Sequence, residues 1–111
     1  MMDSQNTLSP KKRYYYTIDH IDDPVSQKKI QGPFLVTHVS TLELVITSES
    51  DLLTLDGIYT FLFRFEQIPY DMMAKLTQKT QRGERMEYIM ELINPSNDYR
   101  KTIVKYVEQN D

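Results

Sequence analysis

Cysteine is absent from the sequence. Disulfide bonds, thiolate catalysis, cysteine-ligated zinc and iron–sulfur clusters are therefore excluded. Glycine is scarce, and its three positions, Gly32, Gly57 and Gly83, are too far apart to form a loop that cradles a phosphate. No apolar run comes near the ~18 residues expected of a transmembrane helix. We accordingly predict no bound cofactor and no membrane span.

The chain also has no excess of basic residues: 13 Lys and Arg stand against 16 Asp and Glu, a net charge of −3. It has no overall field to attract a polyanion, although a local basic patch could still do so. The first ten residues, MMDSQNTLSP, carry little apolar surface and lack the basic and then apolar pattern of an export signal. We predict a flexible arm over 1–10, one globular β domain over 11–111 and a cytoplasmic location.

Alternating apolar and polar residues predict β-strands in several segments. These are 13–21, 34–39, 42–47 and 58–66. In the last of them, four aromatic residues occupy alternate positions: Tyr59, Phe61, Phe63 and Phe65. A strand places all four rings on one face, which we interpret as core, whereas a helix would scatter them.

Turn signals separate these segments. At 22–24 the sequence reads Asp-Asp-Pro, where proline fixes its own φ and the side chain of Asp23 can bond the nearby backbone. At 56–59 it reads Asp-Gly-Ile-Tyr, which has the spacing of a tyrosine corner. In that motif the tyrosine hydroxyl bonds an upstream backbone group, here through Tyr59.

The segment near 71–80 fits two structures. Asp71 can cap a short helix that follows the strand-ending Pro69. Thr77 and Thr80 weaken that helix, and the alternative is an edge strand that turns at Arg82-Gly83.

The last third of the chain fits either a hairpin or a pair of helices, because the apolar residues before the asparagine–proline pair match both periods. A hairpin that turns at this pair places Glu91 opposite Lys101 and Glu87 opposite Lys105. Two such pairs in one register favour a C-terminal β-hairpin over 86–107. About six strands with turns between them predict a mainly β fold, a small antiparallel β-sandwich or open barrel.

Two groups of residues could suggest catalysis or metal binding. His20 lies beside Asp19, Asp22 and Asp23, but a strand would bring at most two of these four side chains to one side, too few for a metal site. The three residue types of a Ser-His-Asp catalytic triad are also present, as His38, Ser40 and Asp51. No G-x-S-x-G elbow presents the serine as a nucleophile, and we predict neither an enzyme nor a metal site.

One segment joins cations to aromatic rings: Lys11-Lys12-Arg13 precedes Tyr14-Tyr15-Tyr16. Surface tyrosines offer apolar area and a hydroxyl at modest entropy cost, and an unpaired edge strand can add a strand from a partner. We predict a non-enzymatic protein-interaction or assembly module that binds a protein partner or forms a homo-oligomer. Its contact residues would be Arg13, Tyr14, Tyr15 and Tyr16, with the edge strand that follows Arg13.

Two alternative functions remain. A single-stranded nucleic-acid-binding domain would contact phosphates and bases through five residues of the same segment. These are Lys11, Lys12, Arg13, Tyr14 and Tyr16. A small enzyme or a metal site near His20 ranks third. Accessory and viral assembly proteins share the small size and lack of catalytic motifs, as do ordinary host domains.

Overall fold

The computed structural model describes residues 16–109, which form six strands and one helix. The elements are β1 (Tyr16–Asp23), β2 (Lys28–Val39), β3 (Glu43–Ser48), β4 (Ile58–Phe65), β5 (Ile68–Arg82), β6 (Arg85–Leu92) and α1 (Asn97–Gln109). The arm predicted over 1–10 lies outside the described residues.

The six strands close into an antiparallel barrel in the order β1-β2-β3-β6-β5-β4. Strands β1 to β3 form one meander and β4 to β6 another; β3 pairs with β6, and β1 pairs with β4. The prediction of a mainly β, six-stranded antiparallel fold is confirmed, with the sheet closed on itself. Because of this closure, the strand that follows Arg13 is β1 of the barrel, with a neighbour on each side.

The barrel interior is filled by the inward faces of the strands, and β4 contributes most of its aromatic area. The four alternating rings of β4 are at most 4% exposed, as their period predicted: Tyr59, Phe61, Phe63 and Phe65. Burial of one such side chain stabilises the fold by about 1.5–3 kcal/mol. Ile18, Phe34 and Leu76 reach the same core from β1, β2 and β5.

Both predicted turn interactions are present. The Asp23 carboxylate accepts hydrogen bonds from the backbone N–H groups of Ser26 at 3.3 Å and Val25 at 2.9 Å. These bonds favour the ionised form, and they lower the pKa of Asp23. The Tyr59 hydroxyl accepts a hydrogen bond from the backbone N–H of Thr54 at 2.8 Å, the upstream bond expected from the tyrosine-corner spacing.

The helix predicted near 71–80 is wrong, and the alternative of a strand that turns at Arg82-Gly83 is what the structure contains. Strand β5 pairs with β4 through its first half and with β6 through its second half, so it is a central strand rather than an edge. Met72, Ala74 and Leu76 alternate into the core. Pairing on both sides outweighs the single capping interaction that Asp71 could provide.

The C-terminal hairpin predicted over 86–107 is also wrong. Its first half is a strand, β6, but β6 pairs with β3 and β5 instead of with the residues that follow. Those residues form α1. The Ser96 hydroxyl accepts a hydrogen bond from the Tyr99 N–H at 3.1 Å, which caps the helix. Tyr99 and Ile103, one turn apart, are both buried, so the helix has a continuous inward face.

Helix α1 packs across one end of the barrel. The ring of Tyr99 contacts those of Tyr70 and Phe63, with centroids 5.3 and 6.5 Å away, and Tyr106 packs edge-on against Phe65 at 5.0 Å. The Tyr99 hydroxyl donates a hydrogen bond to the carbonyl oxygen of Ser40 at 2.9 Å. Rings from the helix and the strands thus form one aromatic cluster at this end.

Burial of Tyr99 predicts a loss of stability at alkaline pH. Removal from water disfavours the phenolate, so the pKa of Tyr99 lies above its ordinary value of about 10. A raised pKa in the folded state contributes stability that is present below about pH 10 and is lost as the pH rises above it. Urea denaturation between about pH 8 and 11 is therefore expected to show a falling free energy of unfolding, with a shallower fall for Tyr99→Phe. Equal slopes for the two proteins would contradict this assignment.

Candidate functional site

A groove of about 600 Å³ crosses the outer face of β1, β4 and β5. Its walls and floor come from pairs of residues on these three strands: His20 and Asp22, Thr60 and Leu62, Asp71 and Met73. Ile93 and Asn94, which follow β6, line its far end. Most of the lining residues are those that the strand period turns away from the core, and the inward-facing Phe61 and Met72 complete the lining.

The positions of the groove residues follow from alternation and register. On β4 the aromatic residues point inward, so Thr60 and Leu62 point outward between them. Leu62 pairs with Asp71 and Thr60 pairs with Met73 across the β4–β5 ladder. Leu62 and Met73 are consequently diagonal neighbours on one face of the sheet, close enough to form a single apolar surface.

The ladder between β1 and β4 is the shortest of the six. It consists of two residue pairs, Ile21 with Phe61 and Asp22 with Thr60. The other five ladders contain four to eight pairs each. The groove follows this short seam, where His20 from β1 and Leu62 from β4 both line it.

The groove combines exposed apolar side chains with carboxylates. Leu62 and Met73 are 39% and 42% exposed, values well above those of the core residues beside them. Asp22 and Asp71 add two carboxylates, and the His20 ring lies 3.7 Å from the Asp22 carboxylate. Such a surface suits a ligand with an apolar part and a positive charge.

The nearest basic side chains on these strands lie beyond the groove. Arg64 and Lys75 are the next exposed residues along β4 and β5, and neither belongs to the groove lining. Basic residues of other elements lie closer: Lys29 pairs with Asp22 across the β1–β2 ladder, and Lys101 of α1 lines a second cavity together with Asp71.

The structure separates the residues that the sequence grouped around His20. Asp22 is the carboxylate that lies near the ring, whereas Asp23 accepts the hydrogen bonds of the β1–β2 turn. Across residues 16–109, no three His, Asp or Glu side chains come together in a way that could hold a metal ion.

The three residues that match a catalytic triad in type, His38, Ser40 and Asp51, each contact a different neighbour. His38 lies 3.4 Å from the Thr37 hydroxyl, and Asp51 forms an ion pair with Lys79 at 2.9 Å. The Ser40 hydroxyl accepts hydrogen bonds from the backbone of the β2–β3 turn and donates one to the carbonyl oxygen of Glu43. His38 and Ser40 lie at the β2–β3 turn, whereas Asp51 lies in the β3–β4 connection and pairs with β5.

Most of the contact residues predicted from the sequence, Lys11 to Tyr15, lie outside the described residues. Tyr16 is half-buried at the start of β1, where its ring packs against Phe65 at 4.8 Å and Phe63 at 6.1 Å. Its hydroxyl donates a hydrogen bond to the Glu66 carboxylate at 2.8 Å. Tyr16 therefore belongs to the aromatic cluster at the end of the barrel that α1 covers.

The sequence contained a usable signal for the groove. Once Phe61 and Phe63 are assigned to the core, Leu62 must point outward, although it is a large aliphatic residue. No such signal exists for Met73, because the segment near 71–80 fits a helix as well as a strand. An apolar residue at an outward position of a confidently predicted strand marks a candidate contact surface.

Comparisons of the chain with protein-family models, curated proteins and solved structures found no match. Within residues 16–109, no helix has the length and apolar character needed to cross a membrane.

Proposed function

We propose that this chain is a non-enzymatic protein-interaction module that binds a segment of a protein in the groove on β1, β4 and β5. The observation that carries the proposal is that exposed Leu62 and Met73 line one groove together with the carboxylates of Asp22 and Asp71. The ligand we infer is a short segment with an aliphatic side chain beside a lysine or arginine.

The two kinds of contact have different consequences. Covering an aliphatic side chain contributes about 1.5–3 kcal/mol, whereas an exposed ion pair contributes up to about 1 kcal/mol. The apolar contacts would therefore supply most of the affinity, and the carboxylates would reject acidic segments. Because the groove is small compared with a standard protein interface, we expect binding of about micromolar strength.

A displayed library of random 12-residue peptides, selected on the purified full chain, tests the proposal. We expect selected peptides to place an aliphatic residue next to Lys or Arg, and to bind Leu62→Glu at least about tenfold more weakly than the wild type. Fluorescence polarisation of the labelled peptides measures this difference.

Leu55→Glu is the matched control, since Leu55 is 47% exposed, lies in the β3–β4 connection and is not part of the groove lining. It should bind the peptides as the wild type does. A selection in which no peptide depends on Leu62 would overturn the proposal. Salt-sensitive binding of a single-stranded oligonucleotide, lost when Lys11, Lys12 and Arg13 are changed to Ala, would favour the nucleic-acid alternative instead.

A further inference from the structure

A strap, residues 49–57, joins β3 to β4 across the end of the barrel away from α1. None of its residues belongs to a strand. Leu53 is 1% exposed and is part of the core, whereas Leu52 before it and Leu55 after it are 40% and 47% exposed. Through Leu53 the strap therefore closes this end of the core.

Two buried tyrosines of the barrel hold the strap by their hydroxyl groups. The Tyr88 hydroxyl accepts a hydrogen bond from the Leu52 N–H at 2.8 Å, and the Tyr59 hydroxyl accepts one from the Thr54 N–H at 2.8 Å. Tyr88 and Tyr59 are 0% and 3% exposed. Because both rings are packed in the core, the barrel fixes the positions of these two acceptors, and the strap reaches them only when it is closed.

A lysine provides the third attachment. Lys79 of β5 donates hydrogen bonds to the Leu53 carbonyl oxygen at 2.9 Å and to the two oxygens of the Asp51 carboxylate at 2.9 and 3.1 Å. Its side chain is 27% exposed, so it lies outside the core. A second ion pair of the strap, Arg85 with Glu49 at 3.9 Å, is looser, and the Glu49 side chain is 89% exposed. Lys79 is therefore the main electrostatic attachment of the strap.

Across residues 16–109, backbone hydrogen bonds between the strap and the barrel occur only at the last two strap residues. The Asp56 N–H donates to the Leu76 carbonyl oxygen at 2.7 Å, and the Leu76 N–H donates to the Gly57 carbonyl oxygen at 2.9 Å. The rest of the strap, 49–55, can therefore lift from the barrel about this attachment without breaking a bond of any strand ladder.

We propose that the strap opens and closes as a unit on the folded barrel, and that the Lys79 ammonium is the latch that keeps it closed. Opening breaks the contacts of a few side chains and leaves the six ladders intact, so it requires less free energy than complete unfolding. Because the latch is a charged group at the surface, closure responds to salt and to any change that removes the charge of Lys79.

Opening would change what this end of the barrel presents to solvent. Leu53 would leave the core, and the ends of the Tyr59 and Tyr88 rings would lose their cover. Together with Leu52 and Leu55, already exposed in the closed form, they would form an apolar surface that the closed strap hides. The strap thus controls access to a second surface, which is separate from the groove and independent of the proposed function.

Hydrogen exchange of the full chain, followed by NMR at low urea concentrations, tests whether the strap opens by itself. We expect exchange at the Leu52 and Thr54 N–H groups to depend little on urea, because local opening exposes little surface, whereas exchange in the ladders should depend on it steeply. Raising the salt concentration from about 0.05 to 0.5 M should speed exchange at these two groups by up to about fivefold.

Substitutions test whether Lys79 is the latch. Lys79→Met removes the charge and its hydrogen bonds, so exchange at Leu52 and Thr54 should become at least about tenfold faster and should lose most of its dependence on salt. Lys79→Arg keeps the charge and should restore part of the protection. The matched control is Arg82→Met, because Arg82 lies on the same strand and pairs with Glu87 instead of with the strap. It should stay within about twofold of the wild type.

Two results would overturn the proposal. If Leu52 and Thr54 exchange with the same steep urea dependence as the ladders, the strap opens only when the barrel unfolds. If Lys79→Met changes their exchange no more than Arg82→Met does, another contact keeps the strap closed. The urea and salt series on the wild type decide the question even where Lys79→Met does not fold, since exchange at Leu52 and Thr54 that is insensitive to salt would also exclude the latch.

Discussion

Replacement of Tyr99 by alanine is expected to lower the free energy of unfolding by about 3–5 kcal/mol, a large share of the stability of a domain this size. The side chain is fully buried, and its ring packs against Tyr70 and Phe63. Truncation would leave a cavity where α1 meets the barrel and would remove the hydrogen bond to the Ser40 carbonyl. Urea denaturation followed by circular dichroism measures the change.

Two further substitutions show which part of Tyr99 is responsible. Tyr99→Phe keeps the ring and loses one hydrogen bond, a cost of about 0.5–1.5 kcal/mol. Val104→Ala, on the exposed face of the same helix, should stay within about 0.5 kcal/mol of the wild type. If Tyr99→Ala were as mild as Val104→Ala, the helix would not be part of the cooperative fold.

The strands could be predicted wherever their core side chains occupy alternate positions and so lie on one face. Strand β4 shows this best, because four rings at alternate positions fit one face of a strand and no face of a helix. The turn after β1 was predictable for a different reason: the bonds to the Asp23 carboxylate are local and need no distant partner. Period and local turn chemistry together account for the elements that were correct.

The two elements that were predicted wrongly are decided by pairing with strands that are distant in the sequence. Near 71–80 an N-cap residue and a helical spacing of Met72 and Leu76 compete with alternation, and pairing with both β4 and β6 decides the outcome. After β6 the expected Glu91–Lys101 pair was consistent in charge, but β6 already has β3 and β5 as neighbours. Sequence spacing does not reveal that both sides of a strand are occupied.

The groove could be predicted in part. Leu62 is outward-facing by alternation alone, whereas Met73 is outward-facing only if 71–80 is a strand, and the contact between them depends on the turn between β4 and β5. That turn is two residues, Glu66 and Gln67, both with positive φ, at 53° and 69°. Such a turn usually carries Asn-Gly or Asp-Gly, so these two residues gave no hairpin signal. The third wall of the groove comes from β1, which is far away in sequence.

Tyr88 is the second residue for which we expect a large effect, since it joins β6 to the segment between β3 and β4 at the other end of the barrel. Its side chain is fully buried. The hydroxyl accepts a hydrogen bond from the Leu52 N–H at 2.8 Å, lies 3.0 Å from the Ser48 hydroxyl and donates to the Ser50 carbonyl at 3.1 Å. We expect Tyr88→Ala to cost about 3–5 kcal/mol in urea denaturation, because it creates a cavity and breaks these bonds.

Tyr88→Phe isolates the role of the hydroxyl, and it should cost more than Tyr99→Phe. The Leu52 N–H would lose its acceptor in a partly buried site, a penalty of about 1–3 kcal/mol, whereas Tyr99→Phe leaves a single carbonyl at a turn. Hydrogen exchange should show faster opening at Leu52 in Tyr88→Phe, with little change at the N–H groups of α1. Uniform loss of protection across both ends would show that the hydroxyl supports the whole barrel and not this segment. Unchanged protection at Leu52 would contradict the hydrogen bond itself.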